Sequence, residues 1–383
     1  MESVDQLFVD TLRFLAADAV EKAGSGHPGM PLDAAPMAYM LWSRFLKHNP
    51  TNPDWPNRDR FVLSAGHGSA LLYALLHLNG YDVPLEEIER LRQWGSITPG
   101  HPEKGRTPCV EVTTGPLGQG FGMAVGLAIA ERMLAERFNT DEHTIVDHCT
   151  WVIASDGDVM EGITYEASSL AGHLGLGKLI CFYDENRVTI DGSADLAFSD
   201  DVGRRFDALG WHVQRVRDGN DLAGIDRAIR SALDISDQPS LIRVSTHLGY
   251  GSPKQDQAVA HGKPLGEEAL EQTKRNLGWP TDARFYVPDE VAEAGAESVR
   301  RGAELERRWR KRLDEYRERS PELAEELDRR LAGGLPAAWP GVLEGLDFGD
   351  DPMATRDASH RVLNALEDTL PELIGGSADL ASS

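Results

Sequence analysis

The chain has 383 residues, of which 41% are apolar, and it carries a formal net charge of −23. This length and apolar content are enough for two domains or one large one. Because the negative charge would repel phosphate backbones and anionic membrane surfaces, we expect neither nucleic acid nor a membrane as a partner. The three cysteines are far apart and form no C-x-x-C, and the first residues lack a basic signal-peptide region, so we expect a cytoplasmic protein.

The first predicted element is an amphipathic helix, because apolar residues between Leu7 and Ala19 recur at helical spacing. Short apolar strands follow, and helical segments such as 118–138 and 222–233 separate most of them. This alternation predicts an α/β fold with a parallel sheet and helices on both faces, in which ligands bind beyond the carboxyl ends of the strands. The predicted strands are 60–66, 150–156, 178–186, 211–216 and 240–247.

Further along, the composition changes twice. We predict a first domain over 1–280, followed by a linker over 281–352 that is dense in Glu and Arg and is best interpreted as a solvated helical arm. A second α/β domain is predicted to start in 353–383, with a helix over 359–371 and a strand with its turn over 372–380.

Two oxygen-bearing side chains end neighbouring predicted strands. Asp156 follows one strand and Asn186 follows another, and both are ligands of the kind that Mg²⁺ or Ca²⁺ prefers. Gly157 would allow a diphosphate to approach the backbone at the start of the next helix. From these residues alone an alternative stays open, in which Asp156 caps that helix and Asn186 closes a turn.

The spacing of these residues carries a family resemblance. "SDGDVMEG" and "YDEN" place Asp156 and Asn186 30 residues apart, which closely resembles the thiamine-diphosphate signature. Around them, "GHPGMPLDAAPMAYML", "TPGHPE", "TTGPLGQG" and "LPELIGGSADL" resemble transketolases from residue 5 to the last residue. The chain departs from the usual family pattern in two places, with Ser155 where the family usually has glycine and with unusual wording in the loop before His261.

The resemblance implies an activity. Transketolases use thiamine diphosphate and a divalent metal to transfer a two-carbon ketol unit from a ketose phosphate to an aldose phosphate in the pentose phosphate pathway. The resemblance also implies a homodimer with active sites at its interface. Two alternatives remain, another ketol transferase such as a dihydroxyacetone synthase, and a non-catalytic cofactor-binding or interaction module. Because whole family members continue beyond the last segment matched here, we expect the chain to be an N-terminal portion that is inactive alone.

The resemblance further implies roles for individual residues. It assigns catalysis to His27, His101 and His261, whose imidazoles titrate near neutral pH and can move protons among sugar hydroxyls. Metal binding, by Mg²⁺ or alternatively Ca²⁺ or Mn²⁺, falls to Asp156, Asn186 and the carbonyl of Val188. Cofactor contacts are implied for His67, Gly115, Pro116, Leu117, Gly157, Glu161, Asn186 and Asp379. Substrate contacts are implied for His27, His261, Arg356 and Ser383.

Overall fold

The computed structural model describes residues 3–377, and the chain divides into two compact units, Met1–Arg312 and Leu313–Ser383. The first unit contains a sheet of five parallel strands in the order β1-β2-β3-β7-β6. All five predicted strands are confirmed, each slightly shorter than predicted. The strands are β1 (Arg60–Leu63), β2 (Thr150–Ser155), β3 (Leu179–Glu185), β6 (His212–Val216) and β7 (Ser240–Ser245), and a small antiparallel hairpin, β4 (Val188–Thr189) with β5 (Gly192–Ser193), follows β3.

Helices cover both faces of this sheet, as predicted. Successive strand residues point to opposite faces, so Trp151 packs with α1, α2, α3 and α9, whereas Val152 packs with α5, α7 and α8. The helices of the first unit are α1 (Val4–Ala23), α2 (Gly29–Met40), α3 (Ser69–Leu78), α4 (Leu85–Glu89), α5 (Gln119–Phe138), α6 (Asp156–Met160), α7 (Gly162–Leu174), α8 (Val202–Ala208), α9 (Leu222–Leu233), α10 (Val259–Gly262) and α11 (Glu267–Asn276). Within the described part of the chain, no helix combines the length and hydropathy of a membrane span.

Polar residues follow the central strands where their carboxyl ends meet. Ser64 follows β1, Asp156 follows β2, Asn186 follows β3 and Thr246 follows β7. Because these strands are neighbours in a parallel sheet, the four side chains gather at one edge, which is where open α/β sheets bind ligands.

The predicted linker is helical, but it is not simply a solvated arm. The long helix α12 (Asp289–Arg319) spans the boundary between the two units. Within the first unit, the Trp309 indole donates to the carbonyl of Ile145 at 2.8 Å, and the buried Glu306 accepts hydrogen bonds from Asn49 and Asn52. One face of the helix, with apolar residues and the hydrogen-bonded Glu306, explains this packing, which the high charge density of the segment obscures in the sequence.

The second unit is helical over its described residues. Its elements are α13 (Pro321–Leu331), α14 (Trp339–Glu344) and α15 (Thr355–Glu367), and α15 confirms the predicted helix with an earlier start. The strand predicted over 372–380 is wrong over 372–377, where the chain forms no strand, and the rest of that segment lies outside the described residues. Leu373 and Ile374 are exposed there, because an extended segment becomes a strand only when another strand pairs with it.

Candidate functional site

Four histidines from separate turns come together in the folded chain. The ring centroid of His27 lies 5.2 Å from that of His67, 6.3 Å from that of His101 and 5.7 Å from that of His261. The rings of His67 and His261 are stacked with centroids 4.9 Å apart. We call these four residues the histidine cluster. It contains all three predicted catalytic residues and one predicted cofactor contact.

Burial keeps the imidazoles of the histidine cluster neutral. It lowers the pKa of His27 to about 4, with further lowering from His261, Arg92 and His101. The pKa values of His67, His101 and His261 are also lowered, in each case mainly by burial. Within the described residues, the buried Nδ1 atoms of His27 and His261 have no hydrogen-bond partner. Neutral rings with unused nitrogens can accept protons or bind the hydroxyl groups of a ligand.

The predicted "GPLG" turn connects this cluster to the strand ends. At Gly115, where φ is +146°, an added Cβ would lie 3.3 Å from Cγ of His101. At Gly157, an added Cβ would lie 2.8 Å from Cδ1 of Leu117. Glycine is therefore favoured at Gly115 by its backbone conformation, and at Gly157 it lets the Leu117 side chain pack against the end of β2.

Asp156 is not a helix cap. The N-cap of α6 is Ser155, whereas Asp156 is buried and its carboxylate accepts hydrogen bonds from the Tyr183 hydroxyl at 2.6 Å and the Arg187 amide at 2.7 Å. The carboxylate thus lies against the backbone that follows β3. Of the two interpretations left open by the sequence, the structure excludes capping and places Asp156 beside the Asn186 segment.

A second carboxylate in the same motif escaped the sequence analysis. Asp158 is fully buried, and its Oδ1 accepts from the Ser64 hydroxyl at 2.7 Å and the Gly118 amide at 2.9 Å. Its Oδ2 accepts from the Ser155 amide at 2.9 Å. Asp158 therefore ties the "GPLG" turn to the ends of β1 and β2. The Ser-x-x-Asp spacing, which matches the logic of a capping box, was the available signal.

Asn186 is held by two further carboxylates that sequence reasoning also missed. Its Nδ2 donates to Asp184 Oδ2 at 3.0 Å and to Asp33 Oδ2 at 3.3 Å. Its Oδ1 accepts from the Val188 amide at 3.0 Å, so the turn-closing interpretation of Asn186 is correct in this respect. Asp184 could have been suspected from "YDEN", but Asp33 lies in α2 and no local pattern links it to β3.

Three buried acids lie around Asn186, and we call Asp33, Asp156 and Asp184 the carboxylate cluster. Burial raises the pKa of Asp156 to about 6 and that of Asp184 to about 7, and it raises the pKa of Asp33 well above its usual range. The Oδ1 atom of Asp33 has no hydrogen-bond partner within residues 3–377. Buried carboxylates of this kind would be stabilised in their ionised form by a cation.

The donor set fits a divalent metal that is only partly enclosed by protein. Among the described residues, no group of three or more His, Cys, Asp or Glu side chains is arranged to hold a metal by itself. Asp156, Asn186 and the Val188 carbonyl would supply one carboxylate, one amide and one peptide oxygen. Hard oxygen ligands in small number suit Mg²⁺, which completes its coordination shell with phosphate oxygens and water.

The remaining predicted site residues are Glu161, Arg356, Asp379 and Ser383. Glu161 is the exposed N-cap residue of α7, although its Cβ approaches Gly118. Arg356 lies in the first turn of α15 in the second unit, with an exposed side chain near Asp357. Asp379 and Ser383 lie outside the described residues. The roles implied for these four residues stay predictions.

Known proteins resemble this chain over its whole length. A family profile described as "Transketolase, thiamine diphosphate binding domain" matches residues 4–336. A transketolase of Halalkalibacterium halodurans is 54% identical over 99% of this chain and 57% of its own length, and one of Nostoc sp. is 53% identical over 100% and 57%. The chain thus spans little more than half the length of these relatives.

Solved structures agree with the sequence matches. A transketolase of Pichia stipitis in complex with sedoheptulose 7-phosphate superposes with a TM-score of 0.96 at 44% identity, covering 100% of this chain and 56% of that one. A transketolase of Leishmania mexicana gives a TM-score of 0.96 at 43% identity, covering 100% and 57%. With its two residue clusters at the strand ends and a profile match over most of its residues, this chain belongs to the transketolase family.

Proposed function

We propose that the chain is the cofactor-diphosphate-binding part of a transketolase, which transfers a two-carbon ketol unit from a ketose phosphate to an aldose phosphate. The observation that carries this proposal is the packing of the "GPLG" turn between the histidine cluster and the end of β2. That arrangement supports a single site, in which neutral imidazoles lie near a proposed metal-binding edge formed by Asp156, Asn186 and the Val188 carbonyl.

The metal-binding edge has the chemistry to hold the cofactor diphosphate. Asp156, Asn186 and the Val188 carbonyl would bind Mg²⁺, with Ca²⁺ or Mn²⁺ as alternatives, and the ion would supply positive charge for the cofactor diphosphate. Thiamine diphosphate supplies the carbanion and electron-sink chemistry when it is bound. The chain's own contribution is to orient the cofactor and to hold protons at defined atoms.

The histidine cluster would supply the proton transfers. His27 and His101 are neutral near pH 7, because burial lowers both pKa values, so each can begin as a base toward a sugar hydroxyl. His261 faces the same space from α10. Sugar phosphates are the proposed substrates, and the Pichia stipitis relative bound to sedoheptulose 7-phosphate supports that class. Arg356 and Ser383 are proposed to hold the substrate phosphate.

A second copy of the chain is the proposed partner, and the cytoplasm is the proposed location. Side chains of α5, α7 and the turn before α5 expose an apolar surface beside Glu161, which is typical of an interface that another molecule covers. The exposed residues are Leu117, Met123, Ile163, Tyr165 and Leu170. Ile163→Glu should shift the sedimentation coefficient from dimer to monomer. Leu233→Glu, at an equally exposed leucine on α9, should not.

The deciding experiment separates cofactor binding from turnover. Thiamine diphosphate is titrated calorimetrically into the 383-residue chain with and without Mg²⁺. Turnover of xylulose 5-phosphate with ribose 5-phosphate is then assayed for the chain alone and with the uncovered segment of the Halalkalibacterium halodurans relative added in trans. We expect thiamine diphosphate to bind only when Mg²⁺ is present. We also expect ketol transfer when the uncovered segment of the relative is added. The assay without that segment tests the expectation that the chain is inactive alone. Metal-dependent binding without any turnover would favour a non-catalytic binding module instead.

A further inference from the structure

Arg92 occupies an unusual position beside the histidine cluster. Its backbone is left-handed, with a φ of +63°, which residues other than glycine rarely adopt. The conformation is held by a hydrogen bond from the Arg92 amide to the Thr98 carbonyl at 2.9 Å. Such backbone strain persists where the surrounding structure enforces it, and it concentrates at functional sites.

The side chain of Arg92 reaches two different turns. Its Nη1 donates to the Ser25 hydroxyl at 2.7 Å, two residues before His27. Its guanidinium also lies against Gly100, immediately before His101, where an added Cβ would be 2.9 Å from Nε. One planar group therefore touches both turns that carry the predicted catalytic histidines.

The turn that carries His101 is fixed from its other side by α3. The Tyr73 hydroxyl donates to the Pro99 carbonyl at 2.8 Å, and the Ser69 hydroxyl donates to the Gly100 carbonyl at 2.9 Å. Among the hydrogen bonds of the described residues, α3 makes no comparable side-chain contact with the Ser25 turn, whereas Arg92 contacts both turns.

Arg92 is also a cation without a carboxylate partner in residues 3–377. Most arginines of this acidic chain pair with Asp or Glu, including the nearby Arg90, which pairs with Glu87 at 2.8 Å. The single side-chain hydrogen bond to Ser25 uses one of five guanidinium donors. The Arg92 charge therefore remains available to act on the neighbouring imidazoles of His27 and His101.

We propose that Arg92 is a positioning residue, whose guanidinium joins the Ser25 turn to the Gly100 turn and so fixes His27 relative to His101. This inference rests on the proposed function of the two histidines. The Arg92 charge acts on the same pair. For His27, the pKa is lowered by burial, His261, Arg92 and His101, and for His101 it is lowered by burial and Arg92 against the opposing effect of Glu103.

The first test measures the imidazole pKa values of His27 and His101 by NMR in the 383-residue chain without cofactor. Arg92→Met removes the charge and should raise both pKa values by about 0.5–1 unit. Gly100→Ala keeps the charge but displaces the guanidinium, and it should raise them in the same direction. Arg92→Lys and the matched control Arg90→Met should leave both pKa values within about 0.3 unit. Unchanged values in both Arg92→Met and Gly100→Ala would overturn the proposal.

The second test uses the supplemented turnover assay and separates position from charge. Because a lysine ammonium cannot span both turns as the planar fork does, Arg92→Lys and Arg92→Met should both lower kcat/KM by about 10- to 100-fold. Ser25→Ala should lower it by a smaller factor, and Arg90→Met should not change it. Full activity of Arg92→Lys would show that charge alone matters and would overturn the positioning role.

A third measurement excludes a merely structural effect. The melting temperature of Arg92→Met should fall by no more than about 3 °C, since the residue is only half-buried. A larger fall with unchanged pKa values would assign Arg92 to folding instead. If the wild-type supplemented assay gives no turnover, the proposed function fails, and the NMR comparison still decides whether Arg92 joins the two turns.

Discussion

The histidine cluster and the carboxylate cluster respond to the same burial in opposite ways. Burial lowers the pKa of His27 to about 4 and raises that of Asp184 to about 7. Both changes favour the uncharged form. A neutral imidazole is ready for proton transfer, whereas a protonated carboxyl is a poor metal ligand. The histidine cluster therefore already has the neutral form that proton transfer needs, whereas the carboxylate cluster would need a cation to favour its ionised form.

The largest expected effect comes from a substitution in the carboxylate cluster. Asp156→Ala should weaken metal-dependent binding of thiamine diphosphate by more than about 100-fold, beyond the range typical of outer-shell residues, because Asp156 is a proposed metal ligand. Isothermal titration calorimetry in Mg²⁺ measures this change. Asp226→Ala, which removes a partly exposed carboxylate paired with Arg230 on α9, is the control and should bind normally. Affinity within a few-fold of wild type would contradict the assignment of Asp156.

The next largest effect is expected from substitutions in the histidine cluster. His27→Ala or His101→Ala should lower turnover in the supplemented assay by about 100-fold, the scale of one lost proton-transfer group, with little change in melting temperature. The exposed His173 offers a control, since His173→Ala should alter neither quantity. A large loss of stability with normal kinetics would identify the two residues as structural.

A smaller effect is expected in the pH dependence of stability, which should be opposite for the two clusters. His27 has a folded pKa below its usual value of 6.5, so its contribution to stability is lost as pH falls from about 6.5 to 4. Asp184 has a folded pKa above its usual 3.8, so its contribution is lost as pH rises from about 4 to 7. Relative to wild type, His27→Gln should gain about 1–2 kcal/mol on lowering the pH from 7 to 5, and Asp184→Asn should gain about 2–3 kcal/mol on raising it from 5 to 8.

Urea unfolding of the cofactor-free chain at several pH values gives these free energies. When Mg²⁺ and thiamine diphosphate are both present at saturating concentrations, the wild-type chain should no longer lose stability at high pH, because a bound cation favours the ionised carboxylates. Parallel pH profiles of the two variants would contradict the opposite responses of the clusters.

The smallest effect concerns the backbone of the segment that follows His101. Cys109, between His101 and the "GPLG" turn, has a left-handed φ of +62°. Glycine tolerates this conformation, so Cys109→Gly should be more stable than Cys109→Ala by about 1 kcal/mol. The alanine variant controls for the lost thiol, and thermal or urea unfolding measures the difference. Equal stability would mean that the backbone relaxes at this position.

Much of the fold could be predicted because the signals are local. The five strands of the sheet are apolar runs bounded by turns, and residues such as Trp151 to Ala154 are almost completely buried. The strand predicted near Leu373 failed over its described residues, because pairing depends on a partner strand that local sequence does not reveal. The hairpin around Ile190 escaped for a related reason, since its strands are only two residues long.

Site residues could be predicted where they lie in a recognisable sequence motif, and they could not where only the folded chain brings them to the site. His27, His67 and His101 lie in recognisable glycine-flanked turns, and the structure brings them together. Asp33 and Arg92 had no such signal. Asp33 meets Asn186 only because α2 packs beside the end of β3, and Arg92 gains its role from an unusual backbone conformation. Long-range contacts of this kind are not encoded in any short window of sequence.

The wide sequence separation within the histidine cluster has a consequence for folding. His27 and His261 come from opposite ends of the first unit, and the parallel pairing of β3 with β7 must form before they can meet. Contacts between distant segments close late and slowly, since a long loop must be ordered first. Recovery of the His67–His261 ring stacking should therefore be among the last events in refolding. A nascent or partly unfolded chain could contain most of its helices and yet lack the histidine cluster.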